Sequence, residues 1–421
     1  MGGGLLQLVA YGAQDVYLTG NPQITFFKVA YRRHTNFALE AIEQTFNGNP
    51  TYGSRVTCQI SRNGDLINRM YLQVKGITEG TNYVNYYGLR LLNYVEIEIG
   101  GQKIDKHYSY WLYVWNELSL PKSKRNGYNE MVGALGGASI KNTSTLYIPL
   151  EFWFCRNIGL ALPLIALQYH EVKININFET AAKCGAATGA TFTSSLWVDY
   201  IYLDTDERRR FAQLSHEYLI EQLQFTGQEA VSSTAVKAKL NFNHPCKELI
   251  WFIANDSSTA GADVNNWFNF TTKKNAVDSL LPSNAALNET LGHSDINLSS
   301  ASTVNSLPSN PVKNAKLVLN GNDRFYERPG RYFNLIQPYQ HHENIPSNAG
   351  INVYSFALKP EEHQPSGTLN MSRIDTAVLN LNFESAITSG YSATANTLFV
   401  YAVNYNVLRI LSGMGGLAYS N

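Results

Sequence analysis

The stretch Ile174-Asn175-Ile176-Asn177-Phe178-Glu179 alternates apolar and polar side chains, and the chain repeats it as Leu379-Asn380-Leu381-Asn382-Phe383-Glu384. Alternation with a period of two is typical of a strand with one buried face and one wet face. Such collinear repetition indicates a duplicated β-domain. Three further pairs of phrases match in the same order: 42–48 with 220–227, 97–101 with 317–321, and 196–198 with 398–400.

The two copies differ in length at one place. From Ile42 to Gly101 the chain advances 59 residues, and from Ile220 to Gly321 it advances 101, so the second copy has about 42 additional residues. The segment at about 257–312 is rich in Asn, Ser, Thr and Ala, a composition typical of loops. We therefore predict a long surface insertion in the second copy.

Length and composition also favour two β-rich domains. With 421 residues, the chain is long enough for two domains that each bury a core, and its 26 tyrosines favour strands. The 33 basic and 33 acidic residues balance, so we expect no direct binding of nucleic acid by the chain as a whole. No run approaches the roughly 20 apolar residues that span a bilayer, and the first residues lack the features of a secretory signal. Folding in the cytosol is expected.

Short strands separated by turn residues favour antiparallel sandwiches or barrels over an α/β sheet. One helix is predicted, because Trp111, Trp115 and Leu118 fall at i, i+4 and i+7. The predicted strands are 56–60, 69–74, 94–99, 146–154, 172–178, 196–203, 219–225, 249–254, 353–358, 379–383 and 398–403.

No catalytic, cofactor or metal motif is complete in the sequence. Three His-Glu pairs occur, but none continues to the His-Glu-x-x-His of zinc proteases. His341 and His342 are adjacent, so we expect them on opposite faces of a strand rather than around one ion. The cysteines form no Cys-x-x-Cys pair, which predicts free thiols. We predict no enzyme activity, no cofactor and no metal.

Asn-x-Ser/Thr triplets are possible glycan acceptors if the chain meets a glycosylation system. Four of the six lie in or beside the predicted insertion, where exposure is expected. The triplets begin at Asn142, Asn255, Asn269, Asn288, Asn297 and Asn370.

Six phrases spread along the chain form a distinctive set. Residues 8–28 read LVAYGAQDVYLTGNPQITFFK, residues 159–172 read GLALPLIALQYHEV, and residues 354–360 read YSFALKP. Shorter phrases of the set occupy 60–66, 242–245 and 404–409. Together they resemble the major capsid proteins of large icosahedral nucleocytoplasmic DNA viruses of algae, the phycodnavirus-like group. The resemblance spans nearly the whole chain and weakens in 120–145 and 257–312, as expected of surface loops.

The resemblance implies an all-β fold of two tandem eight-stranded antiparallel jelly-roll sandwiches, a double jelly roll, with short helices in the connections. It implies a capsid protein whose homotrimers are capsomers of nearly sixfold outline, which tile an icosahedral shell over an internal membrane. The implied partners are the chain itself, neighbouring capsomers, minor capsid and penton proteins, and the membrane through the N-terminal arm. The implied location is the virion, after synthesis and assembly in the host cytoplasm. Some relatives carry glycans at atypical positions, and Asn396 matches such a context in part.

The repeat and the resemblance together predict the domain boundaries. We expect an N-terminal arm at 1–36, a first jelly roll at 37–204, a solvated linker at 205–216, a second jelly roll at 217–410 and a tail at 411–421. The apolar arm lies outside both copies, so it requires a partner to cover it.

Two other classes of protein are alternatives to a capsid protein. A carbohydrate-binding jelly-roll module would use the many Tyr and Trp side chains as platforms for sugar rings. A cupin-like metal enzyme would require a ligand spacing that the sequence lacks.

Overall fold

The computed structural model describes residues 3–80, 83–255, 267–272, 310–383 and 396–419, in which strands outnumber helices. The α-helices are α1 Gly3–Val9, α2 Val16–Thr19, α3 Tyr87–Leu91, α4 Ser109–Ser119, α5 Lys122–Val132, α6 Trp153–Arg156, α7 Thr205–Gln213 and α8 Gln337–His341, the last preceded by a π-helical turn, Tyr332–Ile336. The strands are β1 Phe37–Gln44, β2 Arg55–Gln59, β3 Leu66–Lys75, β4 Leu92–Ile99, β5 Gln102–Tyr108, β6 Leu146–Pro149, β7 Leu162–Pro163, β8 Val172–Phe178, β9 Thr193–Leu203, β10 His216–Phe225, β11 Glu229–Val231, β12 Ala235–Lys239, β13 Pro245–Asn255, β14 Val312–Leu319, β15 Asn322–Asp323, β16 Arg328–Pro329, β17 Asn352–Ser355, β18 Leu369–Asn370, β19 Ala377–Phe383, β20 Asn396–Leu411 and β21 Met414–Leu417. Short 3-10 helices lie at Gly137–Ser139, Ile158–Leu160, Leu164–Ala166, Ala182–Cys184 and Met371–Arg373.

Strands β1 to β9 form the first sandwich. Sheet 1 has the order β1-β9-β3-β6, with β7 beside β3, and sheet 2 has the order β2-β8-β4-β5. All of these pairs are antiparallel. Side chains from both sheets, such as Leu72, Val198 and Ile174, are fully buried in one core.

Strands β10 to β21 form the second sandwich and repeat this order. Sheet 3 has the order β10-β20-β13-β17, with β11, β18 and β21 attached, and sheet 4 has the order β12-β19-β14-β15, with β16 beside β14. In chain order, the eight principal strands of each copy occupy the same places in the two sheets. The predicted double jelly roll is confirmed.

The phrases that match in the sequence lie on equivalent strands of the two copies. They fall on β1 and β10, on β4 and β14, on β8 and β19, and on β9 and β20. The second and third matches, β4 with β14 and β8 with β19, also agree in register. Ile97 pairs with Ile174 in the first copy, and their counterparts Leu317 and Leu379 pair in the second.

The match between β9 and β20 is displaced along the strand. Ile42 pairs with Val198, whereas its counterpart Ile220 pairs with Asn406 and not with Val400. The equivalence of 196–198 with 398–400 was therefore wrong by six residues. Strand β20 has 16 residues and β9 has 11, so a similar apolar phrase recurs at a different position along the strand.

The segment at 205–216, predicted as a solvated linker, is mostly the helix α7. The Asp204 side chain accepts a hydrogen bond from Thr205 N at 2.8 Å, and Asp206 and Glu207 lie in the first turn, where acidic groups favour the helix dipole. Arg208 Nε lies 2.9 Å from the carboxylate of Asp65. The helix buries no side chain, so the segment is solvated, and its charges begin a helix.

The predicted strand at 146–154 ends early, at Pro149. Proline has no backbone N–H to donate to the ladder, and one further backbone bond, from Leu150 N to the carbonyl of Met70 at 3.0 Å, closes it. The chain then turns into α6, with Trp153 and Phe154 buried.

Sheet 3 is buried on both faces at its centre. Leu249 and Trp251 pack into the core of the second sandwich, whereas Ile250 and Phe252 belong to the core that continues into the first sandwich. Strands buried on both sides carry continuous apolar runs. This explains why 249–254 lacks the alternation seen in β8.

The N-terminal residues form a unit of their own, Met1–Asn36, separate from Phe37–Asn421. Helices α1 and α2 bury no side chain. Tyr17, Phe26 and Phe27 are 92%, 89% and 97% exposed. Of the helices in the described part of the chain, none has the length and apolar character needed to cross a bilayer.

Candidate assembly surfaces

Helix α4 packs between the two sandwiches. It follows β5 directly, and all ten residues from Ser109 to Leu118 are buried. Helices that are buried on every side belong to the core of a large unit. The predicted helix is confirmed, and the rings of Trp111 and Trp115 stack within it at 5.6 Å.

Aromatic rings of the second sandwich surround Tyr110 of α4. Its ring centroid lies 5.3 Å from that of Phe252 and 5.0 Å from that of Phe399, both edge to face. It also stacks on Trp267 at 4.6 Å. Such pairs contribute about 0.5–1.5 kcal/mol each beyond the burial of their area. The contact between the sandwiches is therefore packed like a core.

Hydrogen bonds attach the end of α4 to the second sandwich. The Glu117 carboxylate accepts bonds from Ser347 N at 3.0 Å and Ser347 Oγ at 2.5 Å, and it lies 3.6 Å from Arg125 Nη1. Asn344 donates to the carbonyl of Leu118 at 3.3 Å. The helix is thus fixed in position as well as packed.

Strands β5 and β10 meet as two sheet edges. Leu223 N donates to Asp105 Oδ1 at 3.0 Å, and Gln222 Nε2 donates to the carbonyl of Ile104. The second oxygen of Asp105 lies 2.9 Å from His107 Nε2. Sheet edges leave backbone groups unpaired. Here the Asp105 side chain of β5 bonds a backbone N–H of β10, and the Gln222 side chain of β10 bonds a backbone carbonyl of β5.

A buried charge cluster centres on Glu221 of β10. Its carboxylate lies 2.8 Å from Lys247 Nζ, 3.1 Å from Arg156 Nη1 and 3.5 Å from His363 Nδ1. Arg156 comes from α6 of the first sandwich and lies over the ring of Trp115, 4.1 Å from its centroid. Burial alone would raise the pKa of Glu221, but His363, Lys247 and Arg156 outweigh it and lower the pKa to about 2. The group stays ionised and ties the sandwiches together.

A second buried cluster centres on His342. Its Nε2 lies 2.9 Å from Glu248 and its Nδ1 lies 2.8 Å from Glu361. Burial alone would lower the pKa of His342, but the Glu248 and Glu361 carboxylates outweigh it and raise the pKa to about 9. The expectation that His341 and His342 alternate on a strand was wrong, because His341 ends α8.

The raised pKa of His342 predicts a loss of stability at alkaline pH. Protonated His342 stabilises the folded state fully below its unfolded pKa of about 6.5, and this contribution disappears as the pH rises through about 9. We expect the urea midpoint of the wild-type chain to fall between pH 6.5 and 9.5 more steeply than that of a His342→Gln variant. Equal slopes for the two proteins would contradict this assignment.

The predicted glycan acceptors differ in exposure. The side chains of Asn142 and Asn370 are exposed. Asn255 and Asn269 are 6% and 1% exposed, so attachment there is disfavoured in the folded chain. Asn396 is partly exposed, and Asn288 and Asn297 lie outside the described residues.

The remaining residues that could bind a metal or react as nucleophiles form no site in the described part of the chain. Within the described ranges, no group of three or more His, Cys, Asp or Glu side chains is arranged to hold a metal ion. The cysteines are free as predicted, three of them buried. Burial raises the pKa of Cys58 and Cys184 to about 12, which keeps these thiols protonated.

The charge cluster was missed at the sequence level, although one signal of it is present. Lys247 and Glu248 interrupt the otherwise apolar strand β13, and charges in a strand buried on both faces require buried partners. The partners Arg156, Glu221 and His342 are distant in sequence, so only the fold identifies them.

Two family models match the chain. One, described as the N-terminus of the major capsid protein, matches residues 25–204, and the other, the large eukaryotic DNA virus major capsid protein, matches residues 207–416. The sequence is 53% identical to the major capsid protein of Pyramimonas orientalis virus and 49% identical to that of Phaeocystis pouchetii virus. Both alignments cover 100% of each chain.

Solved structures agree with these matches. A chain of the PBCV-1 virus capsid, in a quasi-atomic model, is 40% identical with a TM-score of 0.76, covering 94% of this chain and 100% of that chain. The Faustovirus major capsid protein has a TM-score of 0.72 at 13% identity, covering 95% and 94% of the two chains, which concerns the fold alone.

Proposed function

Because the chain belongs to the family of large eukaryotic DNA virus major capsid proteins, we propose that it builds the shell of an icosahedral virion as homotrimers with a nearly hexagonal outline. The observation that carries this proposal is the repetition of strand order between the two sandwiches. Three chains then present six similar sandwiches around one axis, and closed cyclic symmetry requires no further component. Neighbouring capsomers, minor capsid proteins and penton proteins would contact the edges and the inner side of this tile.

The trimer gives a direct prediction. We expect the purified chain to have a mass of about 141 kDa by light scattering, that is, three chains of 47.0 kDa. Negative-stain images should show particles of hexagonal outline. A monomer that persists at all protein concentrations would contradict the proposal.

The N-terminal arm is proposed to face the internal membrane. Its exposed Tyr17, Phe26 and Phe27 form apolar surface of the kind that marks interaction sites. Flotation of the trimer with lipid vesicles tests this, with Phe26→Asp/Phe27→Asp as the comparison. A wild-type trimer that fails to float would contradict this role of the arm.

The structural role accounts for the clusters described above without catalysis. Their ionisable groups pair with one another, and the Glu221 cluster does so across the junction, which supports a scaffold rather than an enzyme. The carbohydrate-binding alternative is not favoured, because the densest aromatic cluster, around Tyr110, lies buried between the sandwiches. We retain Asn142 and Asn370 as proposed glycan acceptors, and the intact mass of chains from virions tests them.

A further inference from the structure

A cleft of about 330 Å³ opens where strand β5 of the first sandwich meets strand β10 of the second. Lys103, Lys106 and Tyr108 line it from the first sandwich. Asn241 and Asn243 line it from the loop between β12 and β13 of the second. The cleft therefore has two ammonium groups on one wall and two amide side chains on the other.

Lys106 differs from the other cationic side chains that the fold partly covers. Among the Lys and Arg residues of the described ranges that are buried or half-buried, it is the one that forms no ion pair with a carboxylate. The others each form one, namely Arg90, Arg125, Arg156, Lys173, Lys183, Lys247 and Lys316. Charges that leave bulk water normally require such a partner. Lys106 therefore lacks an anion that comparable residues of the chain have.

The acidic side chains nearest to the two lysines already have donors. Glu96, opposite Lys106 in register, accepts a bond from Arg55 Nη2 at 2.5 Å. Glu98, on the same strand, accepts one from Asn175 Nδ2 at 3.3 Å. Asp105 also lines the cleft, but its carboxylate accepts two backbone N–H bonds, at 2.9 and 3.0 Å. None of these carboxylates forms an ion pair with either lysine of the cleft.

Aromatic rings hold the Lys106 ammonium at the cleft. Its Nζ lies 3.7 Å from the centroid of the Tyr94 ring and 5.1 Å from that of Tyr108. Burial, and after it the charge of Lys103, lowers the pKa of Lys106 below its usual value. An anion between the two ammonium groups would offset both effects, because a nearby opposite charge favours the charged form.

We propose that this cleft binds a phosphate group, which its two lysines hold from the first sandwich and Asn241 and Asn243 hold from the second. Lysine is a common phosphate-binding residue, and bonds from ammonium groups to phosphate oxygens are strengthened by charge. A phosphate monoester carries about −1.5 to −2 charges at neutral pH, which matches two lysines better than a single carboxylate does.

The organic part of a phosphate monoester also finds a surface in the cleft. Tyr108 lines the cleft beside the lysines, and its ring meets that of Phe225 edge to face at 5.2 Å. Aromatic faces of this kind stack on nucleobases. Free phosphate and a monoester share the same anionic chemistry, so the ligands used in the experiment separate them. The site goes beyond the capsid role and does not depend on the trimer.

Three variants test the cleft. Lys106→Met removes the charge but keeps an unbranched side chain between the rings. Asn241→Asp places a negative charge on the opposite wall, at an exposed position that leaves both lysines intact. Lys173→Met is the matched control, because Lys173 is also half-buried on sheet 2 but is paired with Glu171 at 3.4 Å. Circular dichroism should show the wild-type fold in all three variants.

Calorimetric titration of the purified protein with inorganic phosphate and with AMP, near neutral pH and at constant ionic strength, measures the binding. We expect saturable binding to the wild type and to Lys173→Met, and binding weaker by about tenfold or more in Lys106→Met and Asn241→Asp, since each change removes or opposes a charged contact. Tighter binding of AMP than of phosphate would identify a monoester as the ligand, and equal binding would identify the free ion.

Two results would overturn the site. One is the absence of saturable binding of either ligand to the wild type. The other is equal affinity in the wild type and in both cleft variants, which would mean an adventitious ion only. If Lys106→Met fails to fold, Asn241→Asp decides between these outcomes. A chain that forms the trimer and binds neither ligand would overturn this site and leave the proposed function intact.

Discussion

Replacing Glu221 with Gln is expected to reduce the free energy of unfolding by about 3–5 kcal/mol, the typical cost of removing one partner from a buried ion pair. Lys247 is 1% exposed at its side chain and has its ammonium 2.8 Å from the carboxylate. Arg156 reaches the same carboxylate from the other sandwich. Without the negative charge, the Lys247 and Arg156 cations would face each other across the site, where their side chains are only 1% and 17% exposed. Chemical denaturation measures the loss.

Glu43→Gln is a matched control for this variant. Glu43 holds the equivalent place in the first copy but is exposed, so its replacement should change stability by no more than about 0.5 kcal/mol. Both variants should be compared at one protein concentration, because assembly adds to apparent stability. Similar losses of unfolding free energy in the two variants would show that the buried Glu221 cluster stabilises the chain no more than the exposed Glu43 does.

Replacing Tyr110 with Ala is expected to cost about 3–5 kcal/mol, as for other large aromatic side chains removed from a core. The side chain is 6% exposed and its ring contacts Phe252, Phe399 and Trp267 of the second sandwich. The cavity would open between the sandwiches rather than inside either one. We therefore expect calorimetry to show a lower midpoint and a broader transition, as the two halves unfold less cooperatively.

Tyr169→Ala is the control for this second prediction. Tyr169 is 75% exposed, so its replacement should leave the midpoint nearly unchanged. If Tyr110→Ala unfolds at the wild-type midpoint with the wild-type width, α4 does not couple the sandwiches.

Much of the fold could be predicted from local patterns. Alternation located β8 at 172–178 with the bounds that the structure has, and its repetition located β19. Periodicity and repetition depend on neighbours along the chain, and a sequence records these directly.

The junction between the sandwiches could not be predicted in the same way. Glu221 pairs with Arg156 and Lys247, residues that no local pattern connects. The helix within the predicted linker 205–216 was not predicted, because a helix N-terminus and a solvated linker both favour acidic residues. The apolar run in β20 matched that of β9 in composition but not in its position along the strand. In each case the deciding contact lies across the fold.

The central place of β20 in sheet 3 has a consequence for synthesis of the chain. Strand β20 lies between β10 and β13 and pairs with both, yet it spans Asn396–Leu411, near the end of the chain. While the ribosome is still making residues 396–411, the first sandwich is complete, but β10 and β13 lack the strand that joins them. The part of α4 that contacts Phe399 and Tyr401 of β20 therefore stays uncovered until translation is nearly finished. Each new subunit thus passes through a stage at which apolar side chains of its own inner junction are exposed.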